Sequence, residues 1–270
     1  MQNNRLFAII LPNLPGYLPG GSGIGLPGEG CVMWKRMRLI GNCLVVLAAA
    51  LWLGGLCAEP AAPAFARLER QTLVIDPGHG GEDGGAVSPS GQEESQVNLE
   101  IARSLDALMG FYGVSARMTR TEDVSIHDPS AKTLREKKRS DLKNRVALIQ
   151  SVENATLISI HQNASPVASH RGIQVFYGTQ AQSRPLAQQV QKLLTETLAP
   201  EKERKAQAAP SSVYLMAHVT CPAILVECGF LSNPEEECLL REPAYQRKLA
   251  MSLAAGYLGA GSTPQEGALI

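Results

Sequence analysis

From Thr72 onward the chain alternates short apolar runs with stretches whose apolar residues recur every third or fourth position. Thr72–Ile75 reads as a strand, and Val97, Ile101, Leu105, Leu108 and Tyr112 mark one face of a helix closed by Gly113. Val114–Met118 is the next strand, and Asp141–Ile149 a helix with Leu142, Val146 and Ile149 on one face. Thr156–Ile160 and Gly172–Tyr177 follow as strands, then a helix faced by Leu186, Val190, Leu193 and Thr197. Ala223–Val226 is a strand. Asn233-Pro234-Glu235-Glu236 is a helix start: a cap, a proline and acids in the first turn. Tyr245, Leu249 and Leu253 place a last helix near the C-terminus. The alternation predicts one α/β domain, a mostly parallel central sheet with helices on both faces.

Two charged segments interrupt the rhythm, Glu122–Ser140 and Glu201–Lys205, and they read as solvated loops or helix ends, with the wall of a binding groove as the alternative. The region before Thr72 is different in kind. Residues 1–32 are rich in Pro and Gly and form no regular element; they read as an upstream extension, with Met33 or Met37 as the true start. Residues 33–58 join a basic start (Lys35, Arg36, Arg38) to an apolar run from Leu39 to Ala58, the pattern of a signal peptide or N-terminal membrane anchor. Residues 59–71 read as a linker, 72–260 as the α/β domain and 261–270 as a tail. The expected location is therefore outside the cytoplasmic membrane, with the membrane touched only through the N-terminal segment.

Composition narrows the partners. The chain is 44% apolar and 19% charged, as ordinary globular proteins are. Its 25 basic and 25 acidic residues cancel, so no electrostatic footprint for nucleic acid exists. Cys221, Cys228 and Cys238 are odd in number and lack metal-site spacing, and small buried apolar roles are expected.

Chemistry concentrates where elements end. His79 lies just past the first strand in Asp76-Pro77-Gly78-His79-Gly80-Gly81, where glycines permit a tight turn. His161 follows the apolar strand Leu157–Ile160. Glu94 lies at the start of the first helix, with Glu93 and Glu82 as competitors. Glu227 ends the apolar strand Ala223–Val226, where an unpaired carboxylate would be costly without a task. Two imidazoles and a carboxylate suit an open catalytic zinc (Zn2+) site, and a further carboxylate can move a proton. Asn163 and the Gly80-Gly81 backbone are candidates to orient substrate or stabilise a developing oxyanion.

Four stretches in this order resemble the zinc-dependent N-acetylmuramoyl-L-alanine amidases of the amidase-3 family. They are Asp76–Gly81, Glu94–Ala102 (ESQVNLEIA), Ser159–Ala164 (SIHQNA) and Val226–Asn233 (VECGFLSN), within a span of roughly residues 72–258. The resemblance implies that His79, Glu94 and His161 are the zinc ligands and Glu227 the catalytic carboxylate, and it selects Glu94 over Glu93. It implies peptidoglycan as substrate, cleaved between N-acetylmuramic acid and L-alanine. Gly84–Ser88, Asp141–Val146 and Val213–Met216 are similar to the spore-cortex members, which implies cortex maturation with muramic-δ-lactam formation, in the forespore intermembrane space. Ser95 departs from the family's usual basic residue at that place. An accessory protein is left unspecified. Two rival readings are another exported zinc peptidase of wall peptides and a catalytically silent peptidoglycan-binding relative; retention of Glu227 argues against the latter.

Overall fold

A computed structural model describes residues 71–260. The expected extension, leader and tail, and all of the linker but Gln71, lie outside the described residues.

Six strands form one sheet in the order β2-β1-β3-β6-β4-β5. They are β1 (Thr72–Pro77), β2 (Ala116–Met118), β3 (Ala155–Asn163), β4 (Gln174–Tyr177), β5 (Gln207–Ala208) and β6 (Ala223–Phe230). β1, β2, β3 and β6 run parallel, while β4 lies antiparallel to β6 and carries β5 at its far edge. The expected α/β architecture with a mostly parallel sheet is what the chain adopts.

Period-two alternation along each strand divides the core. Leu73, Ile75, Ile158, Ile160, Ile224 and Val226 pack beneath α1 (Glu94–Phe111), α3 (Ser183–Leu198) and α6 (Pro243–Ala260). Val74, Leu157 and Leu225 pack on the other face with Ile149 of α2 (Leu134–Gln150) and with Leu215 and Met216 of α4 (Tyr214–His218). Helices thus cover both faces. The short α5 (Pro234–Arg241) follows β6, its N-terminus capped by Asn233, whose Oδ1 accepts from the N–H groups of Glu235 and Glu236.

Several expectations need correction. α2 begins seven residues before Asp141, inside the segment read as a solvated loop or helix end, because Thr133 and Glu136 form a reciprocal capping box that starts the helix without apolar periodicity. α3 buries Leu186, Val190 and Leu194, leaving Thr197 exposed, so its inward stripe follows a step of four. Tyr112 caps α1 and is 56% exposed. Cys228 alone of the three body cysteines is fully buried; Cys238 is exposed because it faces outward from α5. β5 and α4 are too short for a periodic signal. Among the described residues, no helix is long and apolar enough to cross a membrane.

Candidate functional site

The site lies at the carboxyl ends of β1, β3 and β6, where open α/β sheets collect ligands. β1 runs into the turn that carries His79, whose backbone adopts the left-handed φ of 61°. For a residue with a Cβ this conformation is strained and needs external support. Two guanidinium groups supply it. Arg145 of α2 donates to His79 O at 2.6 Å and Pro77 O at 2.8 Å; Arg120 donates to Pro77 O and Gly78 O, both at 3.0 Å. Arg145 is itself paired with Asp76 and Asp141, both at 2.7 Å. Asp76 also accepts from Thr119 and Ser159 hydroxyls at 2.7 Å. Burial works against ionisation of Asp76, but Arg145 and these hydroxyls outweigh it and hold the carboxyl below its usual range.

The His161 ring lies directly against this turn. A Cβ on Gly78 would stand 2.1 Å from its Cε1, so no other residue fits there. The two imidazoles meet edge to face, with centroids 5.1 Å apart. Glu94, the first residue of α1, reaches between them: Oε1 lies 2.9 Å from His161 Nδ1 and Oε2 lies 3.3 Å from His79 Nε2. Backbone N–H groups of Gln162 (3.0 Å) and Ala86 (2.9 Å) each donate to one carboxylate oxygen. Burial raises the Glu94 carboxyl, but the two imidazoles dominate and hold it far below the usual range. The other nitrogen of His79, Nδ1, lies 2.9 Å from Asp83 Oδ2, and Lys138 Nζ lies 3.1 Å from that same oxygen. Burial lowers the His79 pKa, yet Asp83 and Glu94 together raise it to about 9.

One ligand atom each from His79, Glu94 and His161 lies within 4.8 Å of the others, close enough to converge on one metal ion. The donor set suits such an ion: two imidazoles and a carboxylate, with a second carboxylate orienting one imidazole. Glu227 stands in register beside His161, on the neighbouring strand. β6 continues three residues past it, so Glu227 lies within the strand and not at its end. Among the described residues, its Oε2 is shut off from solvent and has no hydrogen-bond partner. Burial pushes its carboxyl up to about 7, His161 and His79 opposing and Glu94 adding to the shift.

The remaining candidates sort plainly. Glu93 occupies the N-cap position of α1, makes no side-chain capping bond and does not join the cluster, and Glu82 is exposed and paired with Lys137. The amides of Gly80 and Gly81 are already committed, to Asp83 O at 2.8 Å and Asp123 Oδ1 at 3.2 Å, so they serve the loop and not an oxyanion. Asn163 Oδ1 accepts from Ala164 N–H at 2.8 Å, so the donor it can offer is Nδ2. Asp83, Arg120 and Arg145 were missed. Asp141 and Arg145 at i and i+4 carried the one visible signal, a charge pair on a helix face that also bears Leu142 and Ile149.

The model of the N-acetylmuramoyl-L-alanine amidase family, amidase-3, matches residues 73–258. The chain belongs to this family. A germination-specific N-acetylmuramoyl-L-alanine amidase of Bacillus subtilis is 40% identical over 192 residues, 71% of this chain and 80% of that protein. Among solved structures, the CwlD amidase of Clostridioides difficile, in complex with the GerS lipoprotein, superposes with a TM-score of 0.67 at 33% identity. That match covers 70% of this chain and 98% of the other. An N-acetylmuramoyl-L-alanine amidase of Clostridium difficile 630 gives a TM-score of 0.61 at 31% identity, covering 71% and 96%. The protein is thus a peptidoglycan amidase, hydrolysing the bond between N-acetylmuramic acid and L-alanine.

Proposed function

We propose that this amidase is zinc-dependent, with His79, Glu94 and His161 as ligands and Glu227 as the proton-transfer group, and that it acts outside the cytoplasmic membrane during spore cortex maturation. The observation that carries the reading is the convergence of three ligand atoms within 4.8 Å, next to a buried carboxylate oxygen that has no partner among the described residues. The spore-related relatives support the cortex role, and the basic and apolar leader supports export. The lipoprotein bound to the Clostridioides difficile amidase supports an accessory partner of that kind.

When bound, zinc would polarise the scissile carbonyl and lower the pKa of water to ~7. The chain's own residues do the rest. Asp83 holds the His79 ring through Nδ1, leaving Nε2 to face the ligand cluster. Glu227 accepts the attacking water's proton as the new C–O bond forms. It then delivers that proton to the alanine nitrogen as the C–N bond breaks. A carboxyl pushed up to about 7 is matched to taking and returning a proton near neutral pH.

The test is product analysis. Incubating the purified protein with peptidoglycan should release stem peptides with a new N-terminal alanine while glycan strands stay intact, and a chelator should stop the release. Release of a C-terminal amino acid instead would make the enzyme a wall carboxypeptidase.

A further inference from the structure

Asn98 lies one helical turn after Glu94, and its amide is fully used inside the site. Nδ2 donates to Gly78 O at 3.2 Å and to Glu94 Oε1 at 3.3 Å. Oδ1 accepts from Gln162 Nε2 at 3.1 Å. Asn98 is fully buried and Gln162 nearly so. One side chain therefore joins the three segments that bear the candidate ligands: the turn before His79, the helix start with Glu94, and the strand with His161.

Only an amide fits this place. It offers two diverging donors to two acceptors and one acceptor to a donor. An aspartate would turn lone pairs toward the Gly78 carbonyl and the Glu94 carboxylate; an aliphatic residue would supply neither bond. Gln162 Nε2 depends on Asn98 for its partner, but the two groups that Asn98 donates to do not. Gly78 O also receives Arg120, and Glu94 Oε1 also receives the Gln162 N–H, so neither would be orphaned without Asn98. What Asn98 adds is direction. A glutamate side chain has three rotatable bonds, and a third donor on Oε1 restricts how the carboxylate meets the two imidazoles.

We propose that Asn98, supported by Gln162, is a positioning residue that sets the Glu94 carboxylate for metal capture before the ion arrives. The inference rests on the reading of His79, Glu94 and His161 as zinc ligands. Removing such an outer partner costs ~10–100-fold in metal affinity.

The experiment measures zinc affinity of the full chain by competition with a chromophoric chelator, for the native protein, Asn98→Ala and Gln162→Ala. It also records the thermal midpoint of each metal-free form and the visible spectrum after cobalt loading. Asn98→Ala should bind zinc ~10–100-fold more weakly, with a shifted cobalt spectrum, and Gln162→Ala should weaken binding by a smaller factor. A lowered midpoint with native zinc affinity and an unchanged cobalt spectrum would make Asn98 structural and overturn the proposal. If Asn98→Ala does not fold, Gln162→Ala decides: weaker binding supports the proposal and unchanged binding overturns it. A native chain that takes up no zinc overturns the ligand reading together with this inference. A native chain that binds zinc beside an unaffected Asn98→Ala overturns the inference alone.

Discussion

Glu94 and Glu227 are carboxylates beside the same two imidazoles, in opposite surroundings. Around Glu94, two backbone N–H groups and the Asn98 amide add to the imidazoles, and the carboxyl is held far below its usual range. Around Glu227 the described residues offer Oε2 no donor, and burial pushes the carboxyl up to about 7. Donors on the charged form favour ionisation, whereas burial without donors opposes it. In the proposed roles, a pair of carboxylates driven apart in this way would divide the labour of a hydrolytic site: one fit to stay ionised against a cation, the other fit to exchange a proton.

The largest effects should come from exchanging each carboxylate for its amide. Glu227→Gln keeps the shape but cannot take a proton, so amide cleavage should fall ~100-fold or more while zinc content by elemental analysis stays at one per chain. Glu94→Gln should do the reverse and lose zinc first. Its amide N–H2 must face an N–H donor whichever way it turns, Gln162 on one side or Ala86 on the other. Glu227→Gln without zinc, or Glu94→Gln with full zinc, would break the proposed division.

A smaller effect is expected one layer behind the His79 turn, on the Glu94 side of the comparison. Asp76→Asn removes a partner of buried Arg145, and breaking such a pair costs ~3–5 kcal/mol. The pH dependence has a definite sign. The folded-state carboxyl of Asp76 lies below its unfolded value, so its contribution is present above about pH 4 and is lost as pH falls through the folded value. Urea denaturation of the metal-free protein across the acid range should show stability falling with pH in the native chain and a flatter profile in Asp76→Asn.

The smallest effect sharpens the comparison most locally. Gly85 has φ 73°, and a Cβ there would stand 2.5 Å from Glu94 Oε2. Gly85→Ala should destabilise the metal-free protein by ~1–2 kcal/mol, the usual cost of a left-handed non-glycine residue. It should also weaken zinc binding while leaving the Glu227 environment intact. Chemical denaturation and chelator competition on the same variant would separate the two.

Much of this was legible because it is local. The residues read as ligands and as the proton-transfer group sit in short stretches at or near element ends, and period-two and period-3.6 apolar patterns announced most of those elements. The start of α2 was hidden because a capping box, not an apolar stripe, begins it. The inward face of α3 was misjudged because consecutive leucines at 193 and 194 leave two stripes open, and only packing against α6 and the sheet chooses between them.

The chain's own pattern determined an α/β domain and the alternation that divides its core, and it pointed to the two histidines and two glutamates of the candidate site. Tertiary structure alone decided that β4 turns antiparallel beside β6, and that Arg120, Arg145 and Asn98 converge on a turn 20 to 68 residues away in sequence. The reason is physical. Apolar periodicity is set by neighbours within a few residues, whereas a buried polar side chain takes its meaning from a partner that only the folded chain brings within 3 Å or so.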